Sequence, residues 1–342
     1  MRIAQIIAGA PAGGAELFYE RLTLALADAG DDVLSVIRRD PGRAARLRQG
    51  GVMPLELGFG GPLDLFTRPR LAAALRRFAP RVAIAWMNRA ARFTPAGPYV
   101  LAGRLGGYYD LSYYRRCDHL IGNTQGIARW IAEQGWPAGR VHYLPNFTPD
   151  MGGAVPVLHA EFALPVGAKL ILGLGRLHRN KGFDVLIRAL ARLPDVYAVI
   201  AGEGPERAAL EALARDLGVA DRLRLPGWRS DTAALLAMAD IFVCSSRHEP
   251  LGNVVLEAFS ARRPVVAAAA DGPRALIADG TDGVLVPVED ADALAQAIAA
   301  LCAAPDHAQR LAARARARYE TEFALAPVLD RWRHFLAHVE KP

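Results

Sequence analysis

The chain has 342 residues, 52% of them hydrophobic, and a formal net charge of +6. This length indicates about two domains, and the apolar content is sufficient for two buried cores. No stretch of 18 residues is apolar enough to predict a membrane-spanning helix. Three widely spaced cysteines argue against a disulfide framework or a cysteine zinc site. The short apolar N-terminus, interrupted by Gln5, fits a first strand better than a signal peptide, so we expect a cytoplasmic protein.

The positive charge is concentrated in the first half of the chain. Residues 1–150 hold 19 arginines and 12 acidic residues, a net charge of +7, whereas residues 151–342 carry −1. A basic half is suited to face anionic lipid, an acidic glycan or nucleic acid. Because no interleaved aromatic-basic motif appears, nucleic acid is not expected as a partner. Peripheral contact with the inner face of an anionic membrane stays open.

Strands and helices alternate through residues 1–150, which predicts a parallel, doubly wound α/β domain. The predicted strands are 3–8, 33–37, 53–57, 81–87, 99–102, 118–122 and 141–144, and the predicted helices are 16–29, 42–50, 64–78 and 125–134. The first strand leads into a loop that contains Gly13 and Gly14, a layout that can cradle phosphate, although such turns are also common for steric reasons. The helix 64–78 carries four arginines, either as a solvated face or as a contact with a membrane or charged acceptor.

A stretch rich in proline and glycine, 145–167, predicts an interdomain linker. Beyond it a second alternation begins. The predicted strands are 170–174, 196–201, 223–225, 239–243, 264–268 and 283–286, and the predicted helices are 183–192, 206–217, 231–238, one starting near 252, 290–303, 306–319 and 325–339. The predicted domains are therefore 1–150 and 151–325, followed by a C-terminal helix in 326–342.

The loop after strand 170–174 carries Arg176 and Lys181, five residues apart. At the carboxyl end of a strand both can reach one diphosphate, the arginine through its planar fork and the lysine as a point charge. The chain has two other lysines and uses arginine nearly everywhere else, so Lys181 stands out. The alternative is an ordinary solvated basic turn.

Two glutamates follow strand 239–243. Glu249 lies in the loop, and Glu257 lies about a turn into the next helix. Between them the helix start offers free backbone N–H groups at Leu251, Gly252 and Asn253. Carboxylates accept hydrogen bonds from sugar and ribose hydroxyls, and a helix N-terminus attracts a diphosphate, so this arrangement suits a sugar nucleotide. The alternative is a pair of solvated surface carboxylates.

These motifs together resemble glycosyltransferase family 4, retaining enzymes of the GT-B architecture. The resemblance implies two Rossmann-like, doubly wound domains facing across a cleft, with the last helix returning to the first domain. It rests on Glu249-x7-Glu257 preceded by Ser245-Ser246 and followed by Ala-x4-Pro-Val-Val-Ala, on Gly175-Arg176-x4-Lys181-Gly182, and on Gly202-Glu203-Gly204-Pro205.

The resemblance implies a nucleotide-sugar donor site in residues 151–325 and an acceptor site in residues 1–150. In it Arg176 and Lys181 hold the donor diphosphate and stabilise the leaving group, Glu249 binds hydroxyls of the donor sugar, and Glu257 binds the ribose. The other expected donor-binding residues are Gly13, Gly14, Gly202, Glu203, Gly204, Leu251, Gly252 and Asn253. No metal or other cofactor is expected, because basic side chains and a helix N-terminus neutralise the diphosphate.

Relatives often place a histidine near the acceptor, after a strand in the second half of the first domain. No histidine occurs between Trp86 and Asp110 in this sequence, and His119 is expected to be structural. Either Tyr109 or Asp110 takes over that contact, or the acceptor site is unusual. The acceptor-side candidates are Asn88, Tyr108, Tyr109 and Asp110.

The resemblance therefore implies transfer of a hexose from a UDP- or GDP-linked sugar to a glycan or lipid-linked acceptor. The setting by analogy is the synthesis of lipopolysaccharide, another envelope polysaccharide or exopolysaccharide. A non-catalytic sugar-nucleotide-binding protein is the first alternative, and the missing histidine is its support. An NAD-dependent oxidoreductase is a remote alternative, because the glycine spacing is wrong. In addition, the second strand ends in Arg38-Arg39-Asp40, where an early acidic ribose ligand would be expected.

Overall fold

The computed structural model describes residues 1–11, 13–60 and 64–342. The chain divides into two compact units. The first comprises Met1–Asn146 together with Ala326–Pro342, and the second comprises Phe147–Leu325. The chain therefore passes between the units twice, after residue 146 and after residue 325.

The first unit is built on a parallel sheet of seven strands in the order β3-β2-β1-β4-β5-β6-β7. Its central strands are buried along nearly their whole length, as expected where helices cover both faces, and all five residues of β4 are apolar and buried. The strands are β1 (Arg2–Ile7), β2 (Asp32–Arg38), β3 (Leu55–Leu57), β4 (Val82–Trp86), β5 (Val100–Leu105), β6 (His119–Gly122) and β7 (Val141–Tyr143). The helices are α1 (Gly14–Asp28), α2 (Pro41–Gln49), α3 (Thr67–Phe78), α4 (Met87–Phe93) and α5 (Gln125–Glu133).

The second unit is built on a parallel sheet of six strands in the order β10-β9-β8-β11-β12-β13. The strands are β8 (Lys169–Leu174), β9 (Val196–Ala201), β10 (Leu223–Arg224), β11 (Ile241–Cys244), β12 (Val265–Ala268) and β13 (Val284–Val286). The helices are α6 (Phe183–Leu190), α7 (Arg207–Asp216), α8 (Thr232–Met238), α9 (Asn253–Ser260), α10 (Asp271–Leu276), α11 (Ala291–Ala303) and α12 (Pro305–Arg318). Apolar clusters on both faces of this sheet form its core.

The last helix, α13 (Leu325–His338), starts at the end of the second unit and lies almost entirely in the first. Its Trp332 is fully buried and stacks on Trp86 of β4, with ring centroids 6.5 Å apart and planes at 9°. The ring of Phe18 from α1 packs against both indoles. The first unit therefore completes its core with the final helix of the chain.

Arg81 closes the C-terminal end of α13. Its guanidinium donates hydrogen bonds to the carbonyl oxygens of Leu336 at 3.2 Å, Ala337 at 2.8 Å and Val339 at 3.2 Å. A helix ends with unsatisfied carbonyls and a partial negative charge, so a cation placed there meets both needs. Arg81 directly precedes β4, and it therefore ties this helix end to the middle of the sheet.

The structure confirms two doubly wound α/β sheets. Two short helices were not predicted. α4 follows β4 at once, and its first residue, Met87, has a φ of +61°, which sequence patterns do not anticipate. α10 begins with Asp271-Gly272-Pro273, a composition typical of a turn. In the described part of the chain, no helix has both the length and the apolar character needed to cross a membrane.

Candidate active site

In the second unit the strand order reverses between β8 and β11, which lie side by side in the sheet. Loops that leave two such strands diverge to opposite faces, and the crevice between them is where ligands bind in open α/β sheets. The loop after β8 carries Arg176 and Lys181, and the loop after β11 carries Glu249. The sequence-predicted basic and acidic motifs are therefore brought together at this edge.

Lys181 and Glu249 form an ion pair between the two loops. Their side chains are 24% and 13% exposed, so both charges are largely withdrawn from water. The Ser246 hydroxyl donates a hydrogen bond to Glu249 Oε2 at 3.4 Å, and the Ser245 hydroxyl donates to the carbonyl of Lys181 at 3.0 Å. Arg176 is exposed, and it makes no ion pair with the described residues.

Backbone contacts hold the two loops against each other. The amide of Arg247 donates to the carbonyl of Asn180 at 2.8 Å. The Arg247 guanidinium binds both carboxylate oxygens of Asp184 at 2.6 and 2.7 Å, and this hydrogen-bonded pair lowers the pKa of Asp184. Gly182 has a φ of +62°, and a Cβ placed there would overlap the carbonyl oxygen of Ser245. The approach of the loops therefore requires glycine at this position.

The helix after the β11 loop begins at Asn253, capped by Gly252 with a φ of +87°. The amide of Gly272 donates to the carbonyl of Glu249 at 2.7 Å, which fixes the loop just before Leu251. Glu257 lies half-buried on the second turn of α9. The predicted donor residues Glu249, Leu251, Gly252, Asn253 and Glu257 thus form one continuous loop and helix start.

The turn after β9 lies beside the β8 loop. A Cβ at Gly202 would overlap the carbonyl oxygen of Gly175, and one at Gly204 would overlap that of Leu177. These glycines are therefore required by the contact between two loops, whatever ligand they meet. The Glu203 carboxylate accepts a hydrogen bond from Arg207 at 2.9 Å, which lowers its pKa. Its side chain is thus engaged with α7.

In the first unit a glycine loop links β1 to α1, which starts at Gly14; Ala12 of this loop lies outside the described residues. Two buried charged side chains that the sequence did not single out hold the loop. The Glu16 carboxylate accepts the Ala10 amide at 2.8 Å, and the Arg43 guanidinium donates to the Ala10 carbonyl at 2.7 Å. A Cβ at Gly13 would overlap the Glu16 carboxylate. Neither Glu16 nor Arg43 is part of a sequence motif that would have identified it in advance.

The acceptor-side candidates lie at the carboxyl ends of β4 and β5. The amide oxygen of Asn88 accepts the Tyr114 hydroxyl at 2.9 Å. Asp110 accepts the backbone amide of Ser112 at 2.8 Å and its hydroxyl at 2.8 Å, which lowers the pKa of Asp110.

The two remaining acceptor-side candidates are tyrosines that differ in exposure. Tyr108 is exposed and makes an edge contact with Trp130, with ring centroids 5.4 Å apart. Tyr109 is half-buried, and burial raises the pKa of its phenol. His119, which was expected to be structural, is buried beside His142 and contacts the carbonyl of Glu340 at 2.8 Å.

Arg104, at the end of β5, is a second buried cation that the sequence did not reveal. It is 1% exposed, with its guanidinium carbon 4.4 Å from the ring centroid of Trp86 and 4.9 Å from that of Phe18. It donates a hydrogen bond to the amide oxygen of Asn146, the last residue of the first unit before the crossing. Burial lowers the pKa of Arg104 to about 9.

Among the described residues, no group of three or more His, Cys, Asp and Glu side chains is arranged to hold a metal ion. An Asp-x-Asp pattern occurs at Asp290-Ala291-Asp292, but its carboxylates have other partners. Asp290 caps α11 by accepting the Ala293 amide at 2.8 Å, and Asp292 pairs with Arg192.

Comparison with known proteins agrees with this architecture. The family described as "Glycosyl transferases group 1" matches residues 156–318, and "Glycosyltransferase Family 4" matches residues 12–150. The chain is 38% identical over 335 residues to lipopolysaccharide core biosynthesis glycosyltransferase LpsE of Rhizobium meliloti, covering 95% of this chain and 96% of the relative. It is 36% identical over 323 residues to LpsD of the same organism, covering 93% of each.

Among solved structures, Anabaena Alr3699/HepE in complex with UDP-glucose superposes with a TM-score of 0.85 at 22% identity, over 98% of this chain and 99% of that one. At that identity the likeness concerns the fold. The sequence similarity to LpsE and LpsD extends over nearly the whole chain and includes both sheets. The chain therefore belongs to glycosyltransferase family 4, the group 1 glycosyltransferases of GT-B architecture.

Proposed function

We propose that this glycosyltransferase moves a hexose, with retention of configuration, from a UDP- or GDP-linked sugar to a lipid-linked glycan of the lipopolysaccharide core. The names of its two relatives, LpsE and LpsD, support the acceptor class. The UDP-glucose complex of a protein with the same fold supports the donor class. The observation that carries the proposal is the meeting of Lys181 and Glu249 at the carboxyl edge of β8 and β11.

The chemistry follows from the charges at this edge. A nucleoside diphosphate leaves as an anion, and Arg176, Lys181 and the N-terminus of α9 supply positive charge where that anion develops. The bond from the sugar C1 to the phosphate oxygen breaks, and a bond from C1 to the acceptor oxygen forms on the same face. The proton of the acceptor hydroxyl passes to a leaving phosphate oxygen. Glu249 holds sugar hydroxyls and Glu257 holds the ribose in this scheme.

We propose that no metal ion takes part. Two cationic side chains and a helix N-terminus deliver the charge that a divalent cation supplies in other nucleotide-sugar enzymes. On this proposal, turnover is unchanged when EDTA is added to the assay.

The acceptor is proposed to meet the first unit at the edge that carries Asn88, Tyr109 and Asp110. A lipid-linked acceptor would bring the enzyme to a membrane surface, and an arginine cluster of this unit fits that setting. The guanidinium groups of Arg68 and Arg116 both donate to the carbonyl of Arg92, at 3.1 and 3.2 Å. No carboxylate partner to these three arginines is found among the described residues.

Thermal stabilisation tests the donor site. UDP, GDP, ADP, their common sugar conjugates and NAD(H) are compared for the wild type and for the Lys181→Ala and Glu257→Ala variants. Ligand that binds the native state raises the unfolding midpoint by mass action. We expect one nucleotide family to raise it in the wild type and in neither variant. Lys169→Ala, at the opposite end of β8, is the matched control and keeps the response. Stabilisation by NAD(H) alone would overturn the proposal.

A further inference from the structure

The two charges proposed to bind adjacent parts of the donor neutralise each other in the structure. Lys181, proposed for the diphosphate, is paired with Glu249, proposed for the sugar. Both are mostly withdrawn from water, and Ser246 adds a hydrogen bond to the same carboxylate oxygen that Lys181 contacts. A partly buried charge that loses its partner is costly, so separating the pair carries a free-energy penalty for each group that finds no replacement.

We propose that Glu249 makes the site distinguish the intact donor from its nucleoside diphosphate product through an exchange of partners. This inference rests on the proposed function. A nucleotide sugar replaces both partners at once, because its diphosphate takes Lys181 and its sugar hydroxyls take Glu249. A nucleoside diphosphate takes Lys181 but offers nothing to Glu249.

The product therefore leaves a partly buried carboxylate without a cation and next to an added anion. That free-energy penalty weakens binding of the nucleoside diphosphate and not of the nucleotide sugar. The specificity of the site is the difference between these two binding free energies. Transfer of the hexose removes the group that satisfied Glu249, so the ion pair reforms as the nucleoside diphosphate departs. Glu249 thus favours product release, in addition to holding the donor sugar.

Hydrogen bonds to the backbone of both loops confine the exchange to the side chains of Lys181 and Glu249. Ser245 fixes the carbonyl of Lys181, and the Arg247 amide fixes the neighbouring carbonyl of Asn180. The carbonyl of Glu249 is held by the amide of Gly272. Because both backbones are anchored, the exchange needs only rotation of two side chains.

The Glu249→Gln variant tests the exchange, because it keeps the shape of the side chain and removes its charge. Dissociation constants are measured by calorimetry for UDP and UDP-glucose and for GDP and GDP-mannose. We expect the variant to bind the nucleoside diphosphate about three- to tenfold more tightly, because the carboxylate of Glu249 no longer competes with the diphosphate for Lys181. This factor corresponds to the usual free energy of one such ion pair. We expect it to bind the corresponding nucleotide sugar more weakly, because charge-assisted bonds to hydroxyls are lost.

Glu289→Gln is the matched control. Glu289 pairs with Arg247 of the same loop, so its replacement removes one negative charge without touching Lys181, and we expect neither affinity to change. A Glu249→Gln variant in which both affinities shift in the same direction by the same factor would overturn the exchange, because a merely structural role predicts that result. A wild type that binds neither pair of ligands would instead overturn the proposed function, on which the exchange rests.

Discussion

Gly182 shows how one residue type can be required by the contact between two loops. It follows Lys181 at the end of a short 3-10 helix and has a φ of +62°. Its α-carbon lies against the carbonyl oxygen of Ser245, in the loop after the neighbouring strand. Gly218, after α7, has a similar φ of +68°, but nothing lies within 4 Å of a Cβ placed there. The two positions therefore share a left-handed backbone conformation and differ in crowding.

This difference gives a first prediction. Gly218→Ala carries only the left-handed backbone penalty, about 1–2 kcal/mol of unfolding free energy. Gly182→Ala adds a steric overlap that separates the β8 and β11 loops, so we expect at least twice that loss and no stabilisation by nucleotide. Chemical denaturation, with and without the nucleotide that stabilises the wild type, measures both quantities. Equal losses in the two variants would show that crowding at Ser245 does not limit this position.

The meeting of Lys181 and Glu249 could be predicted from the sequence, because motif spacing and strand order agree there. Lys181 and Glu249 each follow a buried strand, and parallel strands place their carboxyl ends at one edge. Glu16, Arg43 and Arg104 could not be recognised in the same way. Their burial arises from packing between distant segments, such as the 33-residue separation between Arg43 and Ala10. An isolated charged residue carries no local signal of such contacts.

At the scale of elements, the neighbouring strands β6 and β7 present a pair of histidines to the C-terminal segment. His119 and His142 share a hydrogen bond of 3.0 Å, and the ring of Phe335 from α13 packs on His142 with centroids 4.7 Å apart. Burial, and then the proximity of His119, lowers the pKa of His142 from 6.5 to about 4. The folded chain therefore keeps His142 neutral over a pH range in which the unfolded chain is protonated there.

The second prediction concerns this pH range. Between about pH 6.5 and 4 the unfolded chain binds a proton at His142 that the folded chain does not, so the free energy of unfolding falls as the pH is lowered. We expect a His142→Asn variant to lose part of that pH dependence, measured as the unfolding midpoint at a series of pH values. His307→Asn, at an exposed position of α12, serves as the control and keeps the wild-type slope.

The arginine cluster of the first unit, formed by Arg68, Arg92 and Arg116, gives a third prediction. Replacing Arg68, Arg92 and Arg116 with glutamine should weaken binding to phosphatidylglycerol-containing vesicles about a hundredfold, at roughly 1 kcal/mol for each arginine near the surface. The binding should also decline with added salt. Sedimentation with vesicles of phosphatidylcholine alone sets the background.

A triple variant in the second unit controls for net charge alone. Arg262, Arg310 and Arg314 are exposed, and their replacement with glutamine removes the same charge. Equal weakening in both triple variants would contradict a localised membrane surface.

The two elements that the sequence missed share a physical reason. α4 begins at Met87 with a positive φ and no side-chain cap, so it lacks the start signal from which helices are recognised. α10 contains Asp271-Gly272-Pro273, which is typical of a turn. Both are six or seven residues long and depend on tertiary contacts, α4 with β1, β4 and β5, and α10 with α9. The long apolar strands, by contrast, follow from composition alone.

At the scale of the whole molecule, α13 joins two stretches of chain separated by the entire second unit. Trp332 fills the space between α1 and β4 and is fully buried. We expect Trp332→Ala to lower the unfolding free energy of the first unit by about 3–5 kcal/mol, the usual cost of removing a large buried aromatic side chain.

Hydrogen exchange resolved by unit measures this loss, and nucleotide should still protect the second unit, whose core Trp332 does not enter. Trp228→Ala, at a side chain that is 73% exposed, is the control for removing an indole and should leave the unfolding free energy nearly unchanged. A loss spread evenly over both units would show that they unfold as one cooperative body.

The position of α13 also has a consequence for synthesis on the ribosome. The residues of the first unit emerge first, yet Trp332 and the segment bound by Arg81 emerge only after the whole second unit has been made. During that interval the buried faces of Phe18 and Trp86 lack the helix that covers them. The second unit, which is continuous in sequence from 147 to 325, can finish folding before the first unit has acquired its last helix.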